Sequence, residues 1–197
     1  MPFVQGFSAG VFLLLALAAT PATAAQPLTV PELMQMLGSV ESARGRFVET
    51  RESALLKSPL VLKGTLSYRR SDFIEKHVLA PHDERITVEG GQLTLENRAQ
   101  QRRKTLSVNS APGLAALVES IRATRAGDLA ALRRHYALKV EGSRGEWTLT
   151  LTPLASQVGD FVTSIALSGS ESRIGRIAIV ETGGDRSVME ITEERSP

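Results

Sequence analysis

The sequence predicts a mainly β fold with some helix: about ten or eleven antiparallel strands in one strongly curved sheet or partial barrel, with a few amphipathic helices laid across it as a lid. Three observations carry this. From Pro59 to Asn97 apolar residues fall at every second position in four short runs separated by turn residues. From Tyr136 to Thr192 five more runs alternate in the same way. Between these halves, Ala111 to Tyr136 repeats its apolar residues at helical spacing and carries no strand signal. Three helices cannot cover both faces of so large a sheet. One face should therefore meet water, and the other should be a concave apolar surface under the helices.

The chain opens with a targeting segment. Val11–Ala19 is too short to span a bilayer comfortably but suits the apolar region of a secretory leader. Thr20-Pro21 and the small-residue site Ala22-Thr23-Ala24 follow, so cleavage is expected after Ala24 or Ala25. The stretch before Val11 carries no Lys or Arg. Residues 1–25 are thus expected to be removed, leaving residues 26–197 as one exported, soluble domain. No linker, internal repeat or low-complexity tract divides that remainder.

A short helix comes next. Thr29-Val30-Pro31-Glu32 has capping-box spacing, and Leu33, Met36, Leu37 and Val40 follow at helical intervals, with Gly38 marking the end. Gly45–Glu52 reads as the first strand. In Leu60–Tyr68, the residues Leu60, Leu62, Leu66 and Tyr68 share one face with Gly64 between them. Arg69-Arg70-Ser71-Asp72 suits a turn, Phe73–Leu79 resumes the alternation, and Glu84–Glu89 follows Pro81-His82-Asp83. Gly90-Gly91 is a hairpin signal before Gln92–Asn97, because both residues tolerate positive φ. Gln100–Val108 is polar enough to be an edge strand.

In the helical stretch Leu114, Leu117, Val118 and Ile121 occupy one face. Gly127 interrupts it, and Asp128 is placed to cap a second helix in which Leu129, Leu132 and Tyr136 share a side. The second strand half then reads Tyr136–Glu141, Glu146–Leu151, Phe161–Ser168, Arg173–Val180 and Arg186–Thr192, with turn residues at 142–145, 168–170 and 183–185.

Composition narrows the chemistry. The chain has 197 residues, 42% of them hydrophobic, and no Cys, which excludes disulfides, thiolate metal sites, a cysteine nucleophile and a lipid-modified cysteine. Its 23 basic and 21 acidic residues give a net charge of only +2, so nothing demands a nucleic-acid or anionic-membrane partner. The clusters Gln101-Arg102-Arg103-Lys104 and Arg133-Arg134 read as a solvated strand face and a helix end. His77, His82 and His135 lack metal-ligand spacing, and Ser143 and Ser170 sit among turn glycines without a nucleophile elbow. No phosphate loop, metalloprotease or hydrolase motif is present. The expectation is a non-enzyme without metal or cofactor.

One series of residues resembles a known family: Phe47-x-Glu49, then Pro59-Leu60 to Gly64-x-Leu66-x-Tyr68-x-Arg70, then Pro81 to Gly91, and finally Trp147-Thr148-Leu149-Thr150-Leu151-Thr152-Pro153. In order and spacing it is similar to the LolA-like family, which takes its name from the periplasmic carrier of lipoproteins to the outer membrane of Gram-negative bacteria. The resemblance covers nearly all of residues 26–197, including the helices between the two strand halves. It implies an incomplete eleven-stranded barrel closed by a helical lid, with a hydrophobic cavity for acyl chains. It also implies a role for Arg70, which stands at an arginine of the family's strand-turn motif associated with holding the lid. The chain departs from that motif at Ser71, where the family usually has Pro.

The function implied is that of a periplasmic carrier, loaded by an inner-membrane donor and unloaded to an outer-membrane acceptor, acting as a monomer on an acylated lipoprotein or another lipid. A dedicated lipid or polyene-pigment carrier and a non-catalytic periplasmic scaffold are the alternatives. The expected cavity wall is Phe47, Leu62, Leu66, Tyr68, Phe73, Leu117, Ile121, Trp147 and Leu149, with Arg70 as the lid latch. After residue 25 the aromatics are only Phe47, Tyr68, Phe73, Tyr136, Trp147 and Phe161, so that cavity should be mostly aliphatic.

Overall fold

In the computed structural model the described residues are 26–70, 72–110, 112–154 and 159–194, with the backbone alone for residues 109 and 112–117. The leader expected at residues 1–25 and the Ser71 departure lie outside them. Eleven strands form one sheet: β1 (Ser42–Glu52), β2 (Leu60–Arg69), β3 (Phe73–Ala80), β4 (Glu84–Glu89), β5 (Gln92–Asn97), β6 (Arg102–Ser107), β7 (Tyr136–Ser143), β8 (Glu146–Pro153), β9 (Val162–Ser170), β10 (Arg173–Glu181) and β11 (Arg186–Glu193). Three α-helices join them: α1 (Val30–Gly38), α2 (Pro112–Ala126) and α3 (Leu129–His135).

The order across the sheet is β6-β5-β4-β3-β2-β1-β11-β10-β9-β8-β7, with every neighbour antiparallel. Two meanders meet where β1 pairs with β11. The sheet is not closed into a barrel: β6 and β7 are its two edges, and α2 and α3 carry the chain between them. The polar run expected at an edge is there, with Arg102, Arg103, Lys104 and Thr105 exposed on β6.

Local signals explain the elements. Thr29 caps α1 and Glu32 reciprocates through the backbone N–H of Thr29 at 2.8 Å. Asp128 caps α3, accepting from the Ala131 N–H at 2.9 Å. Gly90 and Gly91 turn the β4–β5 hairpin at φ 56° and 71°. Gly127, at φ 69°, ends α2 where it crosses α1, and a Cβ there would lie 2.3 Å from the Met34 carbonyl oxygen. The first strand begins at Ser42, earlier than its apolar pattern suggests, because Ala43 and Arg44 still pair with Tyr68 and Ser67. Phe161 is left outside β9 and exposed.

The pairing register places one apolar set on a single face. It runs from Trp147, Leu149 and Leu151 through Ile165, Leu167, Met189 and Ile191 to Phe47, then on through Leu62, Leu66, Tyr68, Ile74, Val78, Ile86, Val88, Leu93, Leu95 and Leu106. The helices pack on this inner face. Leu33, Met34 and Leu37 of α1, Ala123 of α2, and Ala131 and Leu132 of α3 form one buried cluster with Trp147, Leu149, Leu151, Ile165 and Leu167.

Candidate functional site

The inner face is filled unevenly. Over β7–β10 it is sealed: Trp147, Leu149, Leu151, Ile165 and Leu167 are fully buried under the helices. The Trp147 indole packs on Gly169 and donates to the Glu171 carbonyl at 2.9 Å. At the middle of the sheet Phe47, Leu62, Val78 and Met189 form a second, smaller cluster, with Leu66 packed against it. Gly64 makes this possible, since a Cβ there would stand 2.9 Å from the Phe47 ring. Over β3–β6 the same face is mixed, with Val78, Val88 and Leu93 buried and their neighbours less so. Ile74, Leu95 and Leu106 are only half-buried and Ile86 is 36% exposed, and among the described residues neither cluster takes them in.

Of the expected wall residues, Phe47, Leu62, Leu66, Tyr68, Trp147 and Leu149 share the inner face. Trp147 and Leu149 belong to the sealed half. Phe73 does not join them. It pairs with Arg69, so it lies on the opposite face from Tyr68, with the Arg69 guanidinium 4.6 Å from its ring centre. The turn between β2 and β3 sets this parity, which alternation within each strand does not reveal. Ile121 is half-buried on α2, and the Leu117 side chain lies outside the described residues.

Arg70 pairs with Glu41. Its Nη1 donates to Glu41 Oε1 at 2.7 Å, and its backbone N–H to the Glu41 carbonyl at 2.8 Å, just ahead of β1. Both side chains are well exposed. Arg125 ties α2 to the sheet. From the last turn of α2 it donates to the Ser172 carbonyl and to Glu193 Oε1, each at 2.9 Å, and its guanidinium lies 5.5 Å from the Tyr68 ring centre. Beneath it, the buried Tyr68 hydroxyl has no hydrogen-bond partner among the described residues. Burial pushes its pKa up, despite the opposing charges of Arg70, Arg125 and Arg122.

Sequence reasoning also missed a charged cluster on the inner face. Glu49, almost fully buried, accepts from Arg51 at 2.8 Å and Ser187 at 2.6 Å on Oε1, and from Lys76 on Oε2. Burial alone would raise the Glu49 carboxyl. The Lys76 charge and the bonds from Lys76, Ser187 and Arg51 outweigh it and hold the group below the usual carboxylate value. For Lys76 burial wins over its attraction to Glu49, and the nearby Arg51 adds to the cost, so its pKa falls. The directions differ because Glu49 has three donors and Lys76 shares a single carboxylate with a second cation.

The outer face is of another kind. A depression of about 320 Å³ over β3–β6 is lined by polar groups such as Glu75, Arg85, Thr87 and Glu96, which suits water better than an acyl chain. Among the described residues no three His, Asp or Glu side chains gather as metal ligands, and no helix is long and apolar enough to cross a membrane.

A family model described as outer membrane lipoprotein carrier protein LolA-like matches residues 22–190. No curated protein matches the chain. Among solved structures, the chain is similar to a LolA superfamily protein from Nitrosomonas europaea at 12% identity and TM-score 0.46, covering 86% of this chain and 96% of that one. It is also similar to a putative outer membrane lipoprotein-sorting protein domain from Vibrio parahaemolyticus (9%, TM-score 0.49, 85% and 92%). A third is the MucA/MucB complex of Pseudomonas aeruginosa (13%, TM-score 0.46, 85% and 58%).

Proposed function

The chain belongs to the outer membrane lipoprotein carrier protein LolA-like family, and from that premise we propose that it is a periplasmic carrier holding acyl chains on the loose half of its inner face. One asymmetry supports this reading. A largely apolar face packs against helices over β7–β10, where its partly buried Leu138, Val140, Ile177 and Ile179 all join the helix-covered cluster, yet over β3–β6 Ile74, Ile86, Leu95 and Leu106 stay incompletely buried and join neither cluster. A side chain fitted only for a core would be covered, and these four, which flank the buried Val88 and Leu93 in two neighbouring rows, leave apolar surface for something else to cover.

The energetics suit a shuttle. An acyl chain of about fourteen methylenes gains roughly 10 kcal/mol gross on leaving water, at about 0.8 per CH₂. A bilayer offers the same chain about the same. A carrier must therefore bind little better than a membrane, and net transfer is set by an inner-membrane donor and an outer-membrane acceptor. The leader-like residues 1–25 are the feature that favours export. The cargo is an acylated lipoprotein or another lipid, and the role is binding, not catalysis.

The test is uptake of the neutral apolar fluorophore N-phenyl-1-naphthylamine by the purified protein. Saturable binding is expected, with Ile86→Asn weakening it at least tenfold while the far-UV circular dichroism stays unchanged. A protein that takes up no fluorophore, or an Ile86→Asn variant that binds as well as the parent, would sink the proposal.

A further inference from the structure

Lys76 stands in a row of inner-face residues that is otherwise uncharged from β1 to β5 and ends in Lys104 on β6 and Glu193 on β11. The pairing sets Gly45, Leu66, Lys76, Ile86 and Leu95 side by side across β1–β5. From this row the ammonium reaches past Gly64 to Glu49, lying 5.2 Å from the centre of the Phe47 ring. A charge among such neighbours is costly unless its partners are complete. They are not complete here. An ammonium has three donors, and among the described residues the only hydrogen-bond acceptor it meets is Glu49.

Lys76 is not the only cation on Glu49. Arg51 and Ser187 already hold the other carboxylate oxygen, so the cluster contains two cations against one anion. Side-chain exposure also falls steadily inward, from 47% at Arg51 to 17% at Lys76 and 3% at Glu49. Arg51 thus stands outermost and Glu49 deepest, and the ammonium between them lies beside Ile86, which is 36% exposed.

We propose that Lys76 is a head-group anchor: it binds the anionic end of a single-chain amphiphile, a long-chain carboxylate, whose tail lies along Ile86 and Leu95. Glu49 is the internal carboxylate that holds the ammonium when the ligand is away, and Arg51 is the outer cation that the head group passes. This rests on the acyl-binding reading above, and it adds that the ligand is recognised by charge as well as by grease.

The experiment displaces bound N-phenyl-1-naphthylamine with dodecanoate and with methyl dodecanoate, which share a tail and differ in charge. In the parent protein dodecanoate should displace the fluorophore at roughly tenfold lower concentration than its ester. Lys76→Met should erase that difference and leave the ester unchanged. Glu49→Gln, which removes the competing carboxylate, should tighten dodecanoate several-fold and again leave the ester unchanged. Equal potency of acid and ester in the parent, or an acid preference that survives Lys76→Met, overturns the anchor while the carrier reading stands. Absence of fluorophore binding in the parent overturns both. If Lys76→Met does not fold, Glu49→Gln decides alone: an unchanged or weakened dodecanoate overturns the anchor.

Discussion

Arg125 Nη2 and Glu193 Oε1 are 2.9 Å apart, and this pair joins the end of α2 to β11 near the middle of the sheet. Both side chains are largely withdrawn from water, at 7% and 18% exposure, so the contact is screened little. Truncating one partner leaves the other charge stranded along with the Ser172 carbonyl. Arg125→Leu should lose about 2–4 kcal/mol in urea unfolding. It should also release bound fluorophore faster in stopped-flow dilution, because the lid has lost its tie.

Arg70→Leu should behave otherwise. Arg70 holds Glu41 at 2.7 Å, but the two side chains are 40% and 75% exposed. Such a pair contributes less than about 1 kcal/mol. Urea midpoints close to the parent and an unchanged fluorophore release rate are expected. A release rate raised as much as that of Arg125→Leu would favour Arg70 as the latch.

The Glu49 carboxyl gives the fold a dependence on acid. Its pKa is held below the reference value of 4.5 in the folded chain. Its stabilising contribution is therefore fully present above about pH 4.5 and is lost as pH falls from there through the lowered folded value. Urea midpoints of the parent and of Glu49→Gln should differ most at neutral pH and converge as pH falls through the lowered folded value.

Tyr68→Phe should cost nothing and can gain up to about 1 kcal/mol. The hydroxyl it removes is buried without a partner among the described residues, so only a desolvation penalty is lost. A clear drop in melting temperature would mean that this oxygen is hydrogen-bonded after all.

Leu149→Ala should separate the two halves of the inner face. Leu149 is fully buried in the sealed cluster, and its truncation should cost about 2–5 kcal/mol. Fluorophore affinity of the folded fraction should stay near the parent's, in contrast to Ile86→Asn.

Much of this was readable from the residues. Strand alternation placed Phe47, Leu62, Leu66 and Tyr68 on one side, and the Gly90-Gly91 hairpin and the Thr29 and Asp128 caps formed as their chemistry requires. What the pattern hid lies between elements. Whether Phe73 faces Tyr68 or turns away depends on turn length, a property of pairing and not of composition. The charged contacts did leave a trace. Arg125 comes four residues after Ile121 on the apolar stripe of α2, and Glu49 and Lys76 sit at inward parity in β1 and β3. A charge at an inward position signals a partner across the interior, yet only the fold tells which one.

Among the described residues β6 and β7 are unpaired edges, and on the carrier reading proposed above they bear on what sort of molecule could be held. A sealed cylinder must swallow its guest end-on and whole. A sheet with a seam, bridged there by α2 and α3, can admit a greasy tail sideways while the bulky, water-loving remainder of the guest stays outdoors.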